Sequence, residues 1–289
     1  MIYTNKLNLP QSIVDSVKDK YEPQPNRYSI TELLGSVQQI ILFRKHFNQI
    51  EVDVSDSVQT LFGTAVHNIL EENTNESDVE TEIKMEVQIG QDIIVGKFDR
   101  RNLKEQLIED YKTGKTSMII KQDFEEYRLQ GLGYAWMTLI KTGVITKKLK
   151  FYILLKDWSK IKASTSANYP QSPIYVWEYN IQDSDYDYIE KYIKDKLTQI
   201  HTYSGDYKGW TPGCSDEERW YTGTTYAVYK NVGDKRATYT TNDEEDAHNY
   251  ITNKLNGAGE IQVRRGEYLK CKLYCNCNKF CEQFKKENN

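Results

Sequence analysis

Long apolar runs are missing from this 289-residue chain. The longest unbroken aliphatic or aromatic stretches are Phe151–Leu155 and Ile40–Phe43, far below the ~20 residues a membrane span needs. The opening MIYTNKLNLP has neither a charged n-region nor an apolar h-region, so no secretory leader is expected and the chain reads as cytosolic. No charge sign dominates. Against 42 Asp and Glu stand 38 Lys and Arg, a net charge of −4, which does not announce a nucleic-acid binder and does not exclude one. Enzymes that act on DNA through metal-binding carboxylates carry acidic residues in the site and basic ones around it. Proline and histidine are scarce, at six and four. Cysteine is absent from the first 213 residues.

What the chain does have is aromatic weight. Tyr, Phe and Trp number 22, 8 and 5, which excludes the disorder that a mean hydropathy of −0.72 could otherwise suggest. The cysteines crowd the end: Cys271, Cys275, Cys277 and Cys281 lie within eleven residues, with Cys214 apart. Without a secretion signal such clustering reads as metal or iron–sulfur ligation before disulfides. Four local tail thiols, as in a zinc knuckle, are an alternative to a site that recruits Cys214.

Residues 1–27 are polar and proline-containing, and a loosely packed arm is expected there. Ser29 or Thr31 caps a helix running through Phe43, and a second helix runs from Asp56 to Glu72 with Val58, Leu61, Phe62, Val66, Ile69 and Leu70 on a broad face. The hydrophobic period then changes towards two, giving strands at Thr81–Val87, Ile93–Asp99 and Gln106–Lys112. Helices at Phe124–Leu139 and Asp185–Tyr203 and strands at Leu149–Leu155 and Ile174–Tyr179 complete an α/β core with mixed sheet character. The expected layout is a core over 28–205, a small ββα unit over 206–268 and a cysteine-rich tail over 269–289. Within 206–268 the pattern gives a hairpin of Tyr226–Lys230 and Arg236–Thr240, a helix at Asp243–Leu255 and a strand at Glu260–Arg264.

The chemistry-bearing pattern is Gly96-Lys97-Phe98-Asp99 followed by Asp110-Tyr111-Lys112. Strand residues i and i+2 share a face, so Asp110 and Lys112 project together, and pairing of the two strands brings Asp99 near them. Two carboxylates suit Mg²⁺ or Mn²⁺, and a nearby ammonium suits a phosphate ester or an activated water. Read alone, Asp-x-Lys is better explained as an ordinary solvated strand face. Gly63-x-x-x-His67, with Glu71 a turn later, and Gln130-x-x-x-Tyr134 add further polar pairs at helical spacing.

In this order the four short motifs resemble the RecB-like branch of the PD-(D/E)xK nucleases, which includes the RecB and AddB nuclease domains and the CRISPR-associated exonucleases with iron–sulfur clusters. Ser29–Leu34 with Phe43-Arg44-Lys45-His46, Lys156-Asp157-Trp158, Cys214 with Glu217-Glu218-Arg219-Trp220, Tyr226-Ala227-Val228 and Cys271-x-x-x-Cys275-x₅-Cys281 are similar to phage-type members. The resemblance implies a restriction-endonuclease-like core with a mixed central sheet flanked by helices. It implies a Mg²⁺- or Mn²⁺-dependent deoxyribonuclease, an exonuclease or single-strand-preferring enzyme of phage recombination, repair or replication. Its partners would be DNA of single-stranded character and phage recombination or replication proteins in the host cytoplasm.

By position, Asp99 and Asp110 would hold the metal with His67 and the backbone carbonyl of Tyr111. Lys112 would orient the attacking water, and Gln130 and Tyr134 would hold the lysine and the nucleic-acid backbone in register. Glu71 and Glu82 are weaker accessory candidates. Asp110 stands where many members carry Glu, and either ligates Mg²⁺. In the phage-type members the distant thiol falls at Cys214, which implies Cys214, Cys271, Cys275 and Cys281 around a [4Fe–4S] cluster or Zn²⁺, with Cys277 spare. Arg44, Lys45, Lys147, Lys148, Lys150, Arg264 and Arg265 are candidates to flank a DNA channel. A non-catalytic nucleic-acid-binding module keeping the fold is the alternative, and a cysteine-rich metal-binding interaction protein is a third reading.

Overall fold

The computed structural model describes residues 1–18, 21–72, 79–204 and 213–288. The chain divides into two compact units, Met1–Trp210 and Thr211–Asn289. The first unit runs β1 (Ile2–Thr4), α1 (Gln11–Val17), β2 (Arg27–Ser29), α2 (Ile30–Leu33), α3 (Val37–His46), β3 (Glu51–Asp53), α4 (Val58–Glu72), β4 (Val79–Ile89), β5 (Asp92–Asn102), β6 (Leu107–Gly114), α5 (Thr116–Lys121), α6 (Glu125–Thr142), β7 (Lys148–Leu155), α7 (Lys160–Thr165), β8 (Ile174–Asn180) and α8 (Asp183–Ser204). The second holds β9 (Thr225–Tyr229), β10 (Tyr239–Thr241), α9 (Glu244–Lys254), β11 (Glu260–Arg264), α10 (Leu269–Leu273) and α11 (Glu282–Asn288).

The first unit is built on a mixed sheet ordered β2-β5-β6-β7-β8, with β4 on the other edge of β5. β2 runs parallel to β5 and β6 parallel to β7; the β4–β5, β5–β6 and β7–β8 pairs are antiparallel. Strand β7 shows how alternation sets the layers. Its Leu149, Phe151, Ile153 and Leu155 point into the core while the residues between them are half-buried. Helix α6 covers that face, and α8 packs on α6 and α3, contributing Ile189, Ile193, Leu197 and Ile200 to the same core. Helix α6 approaches closely because position 131 is glycine. A Cβ there would fall 2.5 Å from a Leu149 methyl.

Two differences from the sequence expectation have local causes. The helix expected from Ser29 through Phe43 is two. Ser29 caps α2 by accepting from Glu32 N–H at 3.0 Å, and Ser36 caps α3 by accepting from Gln39 N–H at 3.2 Å. A second cap residue starts a second helix. The arm expected to be loosely packed is folded: β1 pairs in parallel with β3, and Val14 and Val17 of α1 pack on Val54. Asp53 fastens it, accepting from Thr4 Oγ1 at 2.8 Å and Lys6 N–H at 3.0 Å.

In the second unit the expected hairpin forms, but its second strand begins at Tyr239 rather than Arg236. The ββα order forms as β9, β10 and α9, and the strand expected at Glu260–Arg264 adds to the free edge of β9 to complete a three-stranded sheet. The cysteine-rich tail contributes α10 and α11 to the same unit.

Candidate active site

The β5–β6 ladder pairs Leu107 with Asn102, Ile108 with Arg101 and Glu109 with Arg100, and goes no further. Continued by one step, that register would set Asp110 opposite Asp99. The strands part there instead, and the Asp99 carboxylate bridges the opening by accepting from Tyr111 N–H at 2.7 Å. The pleat of β5 also breaks at this point. Phe98 and Arg101 both face α6, through a 5.7 Å ring contact to Tyr134 and a 3.4 Å bond to Thr138, although residues three apart should face oppositely. Across from Asp99, Glu82 of β4 has φ +53° and is skipped by the β4–β5 pairing. A non-glycine residue in the left-handed region within a strand is a marker of a specialised site.

Four of the expected residues meet at this opening. His67 of α4 brings Nδ1 to 3.3 Å from Asp99 Oδ1. Lys112 and Asp110, two apart on β6, form an ion pair at the buried foot of the opening. Burial pushes the Asp110 carboxyl up to about 6; Lys112 opposes that shift and Asp99 adds to it. Hydrogen bonding to Asp99 raises the His67 imidazole. The Lys112 ammonium also lies 5.9 Å above the rings of Tyr127 and Phe151, whose faces favour a cation.

Gln130 and Tyr134 are both buried, one turn apart on α6, and Gln130 Nε2 donates to the Tyr134 hydroxyl at 2.8 Å. Gln130 is thus bonded to Tyr134, and Lys112 is paired with Asp110. Burial, then the negative charge of Asp110, keeps the Tyr134 hydroxyl protonated well beyond its ordinary range. Gly96 is needed below it: a Cβ would stand 2.9 Å from Met137 Sδ and 3.1 Å from the Tyr134 ring. Gly63, by contrast, has only Thr113 Oγ1 nearby at 3.9 Å, so crowding does not require it. Glu82 pairs with Lys97, and the Glu71 side chain lies outside the described residues.

Among the described residues no three His, Cys, Asp or Glu side chains already stand as a ligand set. The donor chemistry nevertheless fits a hard divalent cation. Two carboxylates face each other, one of them buried, and a cation relieves that repulsion. A strand residue's N–H and C=O leave by the same edge, so the Tyr111 carbonyl is directed at the opening to which its N–H donates.

The other face of β6 holds a network the sequence reading left out. Glu109 accepts from Arg100 at 3.1 Å and from Tyr152 OH at 2.7 Å. Alternation alone placed Glu109 away from the site, but its partners come from neighbouring strands and have no sequence signal. Arg44 is not available to flank a DNA channel. It bonds Glu32 at 2.7 Å and lies 4.0 Å above the Tyr28 ring. Lys148 and Lys150 share Glu178, at 2.7 and 3.3 Å.

In the second unit the thiols gather. The Cys277 thiol hydrogen-bonds Cys275, lowering Cys275 and raising Cys277, and both Cys281 and Cys214 lie close enough to raise Cys277 further. Cys271 accepts from Arg219 Nε at 3.4 Å. Cys277, expected as the spare, is the most buried of the five at 1% exposure. Arg219 is buried as well, bonded to Glu287 at 2.9 Å and stacked 3.4 Å above the Tyr268 ring.

No family model matches this sequence, and no curated protein matches it. Solved structures similar to it include SSO0001, at 14% identity and TM-score 0.46, over 64% of this chain and 83% of that one. A phage-related exonuclease from Haemophilus somnus 129PT is similar at 13% identity and TM-score 0.32, over 58% and 78%. Likeness at that level carries no functional argument, which rests on the geometry of the chain itself.

Proposed function

We propose that this chain is a divalent-metal-dependent deoxyribonuclease, an exonuclease or single-strand-preferring enzyme serving phage-type recombination, repair or replication in the cytoplasm. One observation carries the reading: Asp99, Asp110, Lys112 and His67, drawn from three elements, meet where β5 and β6 part. Asp99, Asp110, His67 and the Tyr111 carbonyl would hold Mg²⁺ or Mn²⁺, which when bound supplies a polarised water and charge stabilisation at the phosphate.

The chain's own groups do the rest. Lys112 sets a fixed ammonium beside Asp110, available to a phosphate oxygen or to the attacking water. Because Tyr134 accepts from Gln130, its own proton is left for another acceptor, a role a phosphate oxygen would fill. The buried rings of Phe98 and Phe151 and the half-buried ring of Tyr127 limit the access of bulk water to these groups and strengthen each charge interaction. In the second unit, Cys214, Cys271, Cys275 and Cys281 would hold a [4Fe–4S] cluster or Zn²⁺ in a structural role, and the burial of Cys277 among them makes it a fifth contender.

Digestion of 5′- and 3′-labelled linear DNA and of a closed circle, with Mg²⁺, Mn²⁺ or EDTA, tests the activity. Metal-dependent shortening of linear DNA with the circle intact is expected. Binding without cleavage in either metal would favour a non-catalytic module.

A further inference from the structure

We propose that the second unit carries a stacking platform for unpaired nucleobases, made by Trp220 and Tyr274 with Lys270 as its cation. Trp220 is 50% exposed and Tyr274 61% exposed, and their rings pack against each other at 5.2 Å. Aromatic side chains of this size are ordinarily turned inward, and two exposed side by side mark a contact surface. The Lys270 ammonium lies 5.8 Å above the Trp220 ring, so charge and π-face are presented together.

The pair is held in place. Trp220 has φ +55°, a left-handed conformation costly for a non-glycine residue and fixed here by backbone bonds. Leu269 N–H donates to Trp220 O at 3.4 Å and Lys270 N–H to Arg219 O at 3.1 Å. Tyr274 sits between Cys271 and Cys275, and its N–H closes α10 on Lys270 O at 2.9 Å. Beneath them, buried Arg219 ties Cys271, Tyr268 and Glu287 together. A rigid aromatic surface loses little freedom on binding, as sequence-tolerant recognition of single strands requires.

Charge selects the occupant. From Arg264 to Glu287 there are seven Lys and Arg against three Glu, in a chain whose net charge is −4. Arg265 and Lys286 line a cavity of about 560 Å³ with Tyr221 and Tyr268. Its two carboxylates are already engaged, Glu267 by Lys272 at 3.0 Å and Glu287 by Arg219. Exposed π-faces with a cation over one of them, in a segment of net positive charge, fit a phosphodiester strand with unstacked bases better than an apolar protein surface. The choice of ligand rests on the nuclease reading; the platform does not require that cleavage occur.

The test is a fluorescence-anisotropy titration of a labelled 20-mer oligothymidylate and a blunt duplex of equal length. It uses the full chain without added divalent cation, alongside the digestion assay. Trp220→Ala and Tyr274→Ala are each expected to weaken oligothymidylate binding roughly tenfold, with little effect on the duplex. Trp220→Phe should retain most of the affinity, which separates lost stacking from misfolding. Lys270→Gln should flatten the salt dependence by about 0.7 of a log–log unit. Wild-type affinity in both alanine variants, or no binding by the parent chain, overturns the platform. If the variants bind DNA normally but sediment as a smaller species than the parent, the surface is a protein contact and the proposal falls. Trp220-dependent binding by a chain that cleaves nothing would support the platform while removing the nuclease reading.

Discussion

The two units are stabilised by different means. In the first, a continuous apolar layer runs through Ile94, Phe98, Ile108, Met137, Leu149, Phe151 and Ile153, and the polar site is set into its edge. In the second, the buried apolar residues among those described are Ala227, Val228, Ala247, Cys277 and Cys281. A unit of this size with so small a core needs staples. The stapling groups here are the gathered thiols and the Arg219–Glu287–Tyr268 cluster. The first unit could therefore keep its fold with its polar site emptied, whereas the second depends on polar and sulfur contacts for the fold itself.

That contrast predicts separable effects, the largest on activity. Asp110→Ala should lower metal-dependent cleavage by roughly a thousandfold, the scale of several kcal/mol of lost charge stabilisation. The chain should stay folded but melt somewhat lower, because relief of the Asp110 burial cost is offset by leaving the Lys112 ammonium without its ion-pair partner. Initial rates at saturating Mn²⁺ decide this, and near-normal turnover would remove Asp110 from the mechanism. Gly131→Ala should act in the opposite way, destabilising the first unit by about 1–3 kcal/mol through the clash with Leu149. A denaturant midpoint equal to the parent's would mean that α6 has slack the geometry denies.

Gln130→Ala should cost about tenfold in rate, a partial positioning loss, because Tyr134 keeps its place but loses the donor that orients it. An unchanged rate would reduce the pair to a packing role. In the second unit, Cys277→Ala should destabilise by about 1 kcal/mol, since a buried sulfur and a bond to Cys275 are lost. If differential calorimetry sees no change in a second-unit transition, the thiols are not stapling groups. Metal analysis of Cys277→Ala and Cys214→Ala side by side then shows which of the two is the ligand.

The smallest effect is acid-dependent. Hydrogen bonds from Ser55, Lys6 and Thr4 hold the Asp53 carboxyl far below its ordinary value of 3.8. Its stabilising contribution is therefore complete above about pH 4 and fades as pH falls further. Asp53→Asn should melt below the parent at pH 7, with the gap narrowing under acid. A gap constant from pH 7 to pH 3 would assign the contribution to hydrogen bonding without charge.

How legible the molecule was in its sequence varied with the range of the interaction. Strands β5 to β7 and helices α4, α6 and α8 followed from hydrophobic period, because burying one face is a local demand on every second or every third to fourth residue. Short helices such as α5 and α7 gave no signal, being too brief to show a period. The pairing of β1 with β3 joins segments nearly fifty residues apart and has no local signature. At the site, alternation alone put Asp110 and Lys112 on one face.

The sequence by itself determined which groups were available: two aspartates and a lysine at strand spacing, a histidine and a Gln–Tyr pair at helical spacing, and thiols at the end of the chain. Only the tertiary structure decided what they face. It parted β5 from β6 so that Asp99 reaches Tyr111, turned Gln130 to Tyr134, enclosed Arg44 against Glu32, and buried Cys277 most deeply of the five thiols. Side-chain identity and period are written residue by residue, whereas partner, burial and local field arise from segments far apart in the chain and exist only once those segments have packed.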